Sequence, residues 1–287
     1  MIIYFLLLFF LFGTAIGSFL NCMAWRLYNG ESVWGRSHCP SCNKMIAWFD
    51  NIPLFAWLNL RGKCRQCGKA IPSQYFWAEL SMGILFLLAF LYRFNFMPAD
   101  FIAQLSWANY DWHLYLTIFR DWVLISFLFL IFIMDLKWFV VADVASMGGA
   151  LSILILNLLL GVSWQGMLWG ALIGAGFFFI LHGLSQGAWM GAGDIFIGLL
   201  MGIALGWQHL LLALMLAVMI AALWGIGLVL AGKRKLHWRR LWHRGEPSEA
   251  ELAETALPFG PFLTLATLIV FYFGVDLLSW YWHLIWI

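Results

Sequence analysis

Residues 122–135 read WVLISFLFLIFIMD: thirteen uncharged, almost wholly apolar residues closed by one acid, Asp135. In a soluble domain such a run would stand alone among polar neighbours. Here the neighbours repeat it. Of 287 residues, 64% are hydrophobic and 10% charged, against about 25% charged in an ordinary soluble domain. Mean hydropathy is +0.88. No soluble packing hides that much apolar surface. The runs are continuous rather than alternating, which is the pattern of helices and not of a membrane β-barrel. The expected fold class is an all-α polytopic membrane protein.

Working outward, the apolar runs fit about eight transmembrane helices. They fall near 2–24, 78–95, 118–135, 144–161, 166–185, 195–207, 209–231 and 258–285. Crossing about 30 Å of hydrocarbon takes roughly 20 helical residues. The sixth run is short, and its break from the seventh is placed at Gly206-Trp207-Gln208. A six-span alternative, with 195–231 as a bent hairpin or re-entrant segment, fits the charges less well. The first run has no charge before Arg26. A secretory signal carries its positive charge ahead of the apolar core, so this run reads as a retained span with its N-terminus outside.

Seven of the 16 Lys and Arg residues lie between Arg26 and Lys69, six between Lys233 and Arg244, and Lys137 stands alone. Only Arg93 and Arg120 flank the remaining polar stretch. The positive-inside rule places the first three regions in the cytoplasm and the last outside. Eight alternating spans return every basic segment to one side. Three regions follow: 1–24, a first transmembrane helix; 25–77, a small cytoplasmic module; and 78–287, a transmembrane core carrying a basic cytoplasmic loop at 232–256. That loop reads as a surface helix on anionic headgroups, with Trp238 and Trp242 at the interface. Glycines in the fifth to seventh spans let helices approach closely. No internal repeat stands out.

The module contains CPSC (Cys39, Cys42) and CRQC (Cys64, Cys67), with 21 residues between the pairs. Two such knuckles suit a tetrahedral Zn²⁺ site of the ribbon type. Gly62 and Gly68 permit the tight turns. Disulfides are disfavoured in a cytoplasmic segment. A four-thiolate site has no open position, so its role is structural, and a module this small gains much of its folding energy from metal. His38 is a neighbour that could replace one thiolate. Cys22, in the first span, reads as a small buried hydrophobe.

Between Trp122 and Gly245 three acids occur: Asp135, Asp143 and Asp194. A carboxylate at membrane depth costs a few kcal/mol on the lenient insertion scale and is a functional candidate. Asp143 equally suits a membrane boundary and a helix N-terminus. Asp135 ends the third span on the cytoplasmic side. Two crossings later Asp194 opens the sixth on that same side, within GAGD (191–194). The two are therefore at similar depth. A pair of carboxylates that meet can divide the work of hydrolysis, one ionised and activating water, the other protonated and polarising a carbonyl. Gly191 and Gly193 would let a backbone or substrate strand come close.

These motifs together resemble the bacterial type IV prepilin peptidases, the family of prepilin leader peptidases and N-methyltransferases, which are G-x-G-D membrane aspartic peptidases. GSFLNCMAWRL (17–27) resembles the family's first-span exit. Residues 39–80 resemble its zinc segment, including Trp48, Asn51-Ile52-Pro53 and Tyr75. MDLKWFVVAD (134–143) and GAGD occupy the places of its two aspartate motifs. The resemblance implies cleavage of pilin or pseudopilin precursors after a short basic leader, at the cytoplasmic face of the bacterial inner membrane. It also implies N-methylation of the new N-terminus with S-adenosylmethionine. Asp135 and Asp194 would be the catalytic pair and Asp143 a possible accessory acid. Two positions depart from the family: Ala142 replaces Pro, and Phe196 replaces Lys. For the methyl donor, the module and Glu79 are the first places to look, though Glu79 reads equally well as a charge reaching the interface. The substrate's mature segment, a hydrophobic helix, would dock laterally from the bilayer. No nucleic-acid partner is expected. Two other classes compete. A non-catalytic, zinc-containing scaffold of a pilus or secretion system leaves the acids unexplained. A transporter leaves the cysteines unexplained.

Overall fold

The computed structural model describes residues 2–94, 111–140, 143–187, 190–230 and 258–285. Ala142 and the loop 232–256, with Trp238 and Trp242, lie outside the described residues. Helices run over Ile2–Asn29 (α1), Phe55–Asn59 (α2), Gln74–Arg93 (α3), Trp112–Trp138 (α4), Asp143–Leu159 (α5), Trp164–Ser185 (α6), Gly193–Leu230 (α7) and Gly260–Ile285 (α8), with a 3₁₀ turn at Trp48–Asn51. Among the described residues, α1, α3, α4, α6, α7 and α8 are long and apolar enough to cross a membrane, and α5 is a shorter apolar helix. The chain is a multi-pass, all-α membrane protein. It divides into two compact units, Met1–Leu130 and Ile131–Ile287.

In the first unit α1 and α3 run antiparallel. A Cβ on Gly13 would stand 2.7 Å from the Met82 carbonyl oxygen, and one on Gly17 would stand 2.9 Å from that of Ala78. Only the missing side chains allow this approach, the small-residue packing that holds helices together where no hydrophobic force separates protein from lipid. Further along, Phe90, Phe94 and Ile118 form a buried cluster with Phe9 and Trp122. The Trp122 ring stacks on Phe86 and its Nε1 donates to the Phe86 carbonyl at 3.1 Å. Asp121 is fully buried. It is held by Arg93 at 2.6 Å and Arg120 at 2.9 Å, which is what makes a charge tolerable there.

In the second unit α7 packs against α5, α6 and α8. A glycine seam joins it to α6: a Cβ on Gly170 would collide with the Gly202 carbonyl, and one on Gly174 with that of Gly198. α7 is broken at Gly206, where φ is 71° and ψ 170°. Beyond it, Leu210 Cδ2 returns to within 3.3 Å of the Cβ position of Gly174. A straight helix would carry Leu210 about 18 Å past Gly198, so the chain turns back at Gly206, where the sequence places its break. Such a turn frees carbonyls of the preceding helical turn. The buried Asn157 amide of α5 donates to one of them, that of Ile203, at 3.1 Å.

Candidate active site and metal centre

The cysteine segment folds as two copies of one turn. In the first knuckle the Cys39 N–H donates to Lys44 at 3.0 Å and the Asn43 N–H to Cys39 at 2.9 Å. In the second, Cys64 donates to Lys69 at 2.8 Å and Gly68 to Cys64 at 2.9 Å. Each is flanked by one antiparallel bridge, His38 with Met45 and Lys63 with Ala70. The residue after each second cysteine has positive φ, 55° at Asn43 and 70° at Gly68. Asn and Gly are the residues that tolerate this region. The four Sγ atoms lie within 4.8 Å of one another, and those of Cys39 and Cys67 are 3.9 Å apart. A tetrahedron with metal–sulfur bonds of about 2.3 Å has sulfur–sulfur edges of about 3.8 Å. The donor set therefore fits a metal ion. His38 is not in this group; it packs edge-on against Trp25 at 6.0 Å. Burial opposes ionisation of Cys39, but backbone N–H groups of Ser41 and Cys42 and the neighbouring thiols bring it down to about 6. The Lys69 amide works to lower Cys67, yet burial and the three other sulfurs push it up to about 11. Crowded sulfurs of like charge are what a central cation relieves. Arg65, between the second pair, makes two 2.7 Å hydrogen bonds to Asp50 and holds its carboxyl below the usual range.

The two acids come from different helices of the second unit. Asp135 lies in the last turn of α4 and Asp194 in the first turn of α7. They are 6% and 9% exposed and lie in the same compact unit. Each meets the positive end of a helix. Asp194 has its own, which favours an anion, with the Gly191 peptide beside its carboxylate. Asp135 stands at the unfavourable end of α4 but borrows the start of α8: the Gly260 N–H donates to its Oδ2 at 2.8 Å across 125 residues of chain. A Cβ on Gly260 would stand 2.5 Å from that same oxygen.

Gly260 was not singled out in the sequence. The only signal for it is a glycine before Pro261 at a helix start. Gly191 is exposed, and a Cβ there would meet only the Gly193 nitrogen, at 3.9 Å. Its positive-φ freedom is not used, since Gly191 and Gly193 are absent from the positive-φ residues. Asp143 is exposed in the first turn of α5. Phe196 is half-buried in α7. Glu79 is buried and accepts the Leu54 N–H at 2.7 Å.

Comparison with known proteins finds two matching families. The model of the bacterial peptidase A24 N-terminal domain matches residues 11–93, and that of the type IV leader peptidase family matches 122–226. This chain belongs to the type IV leader peptidase family. Within it the chain is similar to a prepilin leader peptidase/N-methyltransferase of Aeromonas salmonicida, 29% identical over 95% of this chain and 92% of the relative. One of Myxococcus xanthus is 29% identical over 90% and 87%, and one of Bacillus subtilis 28% over 95% and 96%. No solved structure matches. In this leader peptidase the four cysteines fall in the N-terminal match and both buried acids in the peptidase match, whereas Gly260 lies beyond both.

Proposed function

We propose that this leader peptidase is a membrane aspartic endopeptidase that removes the basic leader of type IV prepilins or pseudopilins at the cytoplasmic face of the bacterial inner membrane, and that it also methylates the new N-terminus from S-adenosylmethionine. Asp135 and Asp194 are the catalytic pair. The observation that carries this is their placement: two buried carboxylates from separate helices of one compact unit, each beside a helix N-terminus. One takes the proton of a water; the other hydrogen-bonds the scissile carbonyl, so the peptide is hydrolysed without a covalent intermediate. Gly191, exposed beside them, leaves room for an extended substrate strand. The leader's positive charges and the helical mature segment suit a substrate entering sideways from the lipid. Asp143, in the first turn of α5, is assigned to that helix end rather than to hydrolysis. Counting α5 and the two arms of α7 separately supports eight spans, with both acids on the basic, cytoplasmic side.

Cys39, Cys42, Cys64 and Cys67 hold Zn²⁺, which closes the two knuckles on each other. The scaffold reading gains nothing from the structure or the relatives. The test is cleavage of a prepilin-type substrate by purified protein in detergent. Asp135→Asn and Asp194→Asn each lower kcat by about 10²–10⁴-fold, the contribution of a general acid or base, while the protein stays folded. Full activity in either variant rejects the pair.

A further inference from the structure

We infer that Glu79, with Ser18, Asn21 and Gln74, forms a binding site in the first unit for an α-amino cation flanked by a carbonyl oxygen. This rests on the methyltransferase half of the proposed function, whose site nothing above assigns. Two reactants of that step carry this group: the free N-terminus of the cleaved substrate and the amino-acid end of S-adenosylmethionine.

Glu79 is 7% exposed. Among the described residues it accepts the Leu54 N–H at 2.7 Å, with Ser18 and Tyr75 as polar neighbours; no Lys, Arg or His stands among them. A carboxylate out of water without a counter-charge is costly, and here it sits beside the close α1–α3 approach of Gly17 to Ala78. Asn21 is fully buried. Its Oδ1 accepts from Gln74 Nε2 at 3.1 Å, but its Nδ2 has no hydrogen-bond partner. Ser18 neighbours Glu79, and Asn21, one turn on along α1, touches Gln74. The four side chains thus make a polar strip across an apolar helix pair. It offers one unmatched negative charge and one unmatched donor. An ammonium satisfies the first and an adjacent carbonyl or carboxylate oxygen the second. Leu54, which delivers the N–H, has φ 61° and ψ −53°. A non-glycine residue there costs of order 1–3 kcal/mol, and such outliers cluster at ligand sites. The loop bearing Leu54 runs between the two cysteine knuckles, so the folded module presents this N–H to Glu79.

The experiment uses the full chain in detergent with a prepilin-type substrate. It follows cleavage, methylation of the new N-terminus, and equilibrium binding of S-adenosylmethionine. Glu79→Gln keeps an acceptor for the Leu54 N–H but removes the charge. We expect cleavage within about twofold of wild type and a methylation kcat/KM lowered at least about tenfold, as loss of one charge-assisted hydrogen bond implies. Weaker donor binding in the variant assigns the site to the methyl donor. Unchanged donor binding with a raised KM for pre-cleaved substrate assigns it to the N-terminus. Methylation at the wild-type kcat/KM overturns the inference. So does parallel loss of cleavage in Glu79→Gln and Glu79→Asp, which makes Glu79 a fold residue only. If the wild type does not methylate, the methyltransferase reading itself fails; equal donor and N-terminal-peptide binding by wild type and Glu79→Gln would then overturn the site as well.

Discussion

Gly260→Ala separates the position of Asp135 from the stability of the fold. Gly260 opens α8 and is not among the positive-φ glycines. It precedes Pro261, whose ring disfavours helical φ/ψ for a residue bearing a Cβ, so alanine gains nothing from helix propensity there. Here the new methyl would stand 2.5 Å from Asp135 Oδ2, roughly 1 Å inside carbon–oxygen contact. The carboxylate must move by about that much, which also breaks its 2.8 Å bond from the Gly260 N–H. A hydrogen bond to a charged group contributes about 1.5–3 kcal/mol, or roughly 10–150-fold in rate. A misplacement of about 1 Å alone can cost about 10²-fold. We expect kcat for leader cleavage per folded molecule to fall by about 10²-fold in detergent, with KM within a few-fold and thermal stability lowered by no more than about 1–3 kcal/mol. Wild-type kcat in a folded Gly260→Ala protein would refute the positioning of Asp135 by α8. A folded protein whose loss appears only in KM would refute it too.

Other expected outcomes follow from packing and metal. Gly202→Ala drives a methyl into the Gly170 backbone and destabilises by about 1–3 kcal/mol, as overpacking does; thermal unfolding in detergent reads this. Asn157→Leu leaves the Ile203 carbonyl without its side-chain donor and costs about 1–3 kcal/mol, read in the same assay. Cys39→Ser reduces the amount of folded protein more than the cleavage rate per folded molecule, because structural zinc can supply on the order of 10 kcal/mol of folding energy. Metal content of the purified variant and active-site-normalised turnover check both halves.

The parts legible in the sequence are those whose signal is local. The cysteine spacing states a ligand set, and the structure adds only that each knuckle uses a positive-φ residue after its second cysteine. Gly206 marked the reversal in α7 because little but glycine adopts that backbone there. Asp135 and Asp194 stood out as lone acids at the ends of apolar runs. What stayed hidden depends on partners far along the chain. The donor to Asp135 is a peptide N–H, which every residue but proline has, 125 residues away. Asn157 reads as an ordinary polar residue in an apolar run until its acceptor is known. Glu79 offered two readings because burial at a helix crossing is decided by the neighbouring helix, not by its own. Asp143 was open for the opposite reason: a helix start and a catalytic loop select the same residue type.

The seam of Gly170, Gly174, Gly198 and Gly202 has a mechanical consequence. Backbones in direct contact have no rotamers to relax and no side chains to slide over, so α6 and the first arm of α7 form one stiff board. Asp194 rides one helical turn beyond Gly198, at the end of that board. Its aim is then set by four absent side chains, and a single added methyl anywhere along the seam would tilt the acid without touching it.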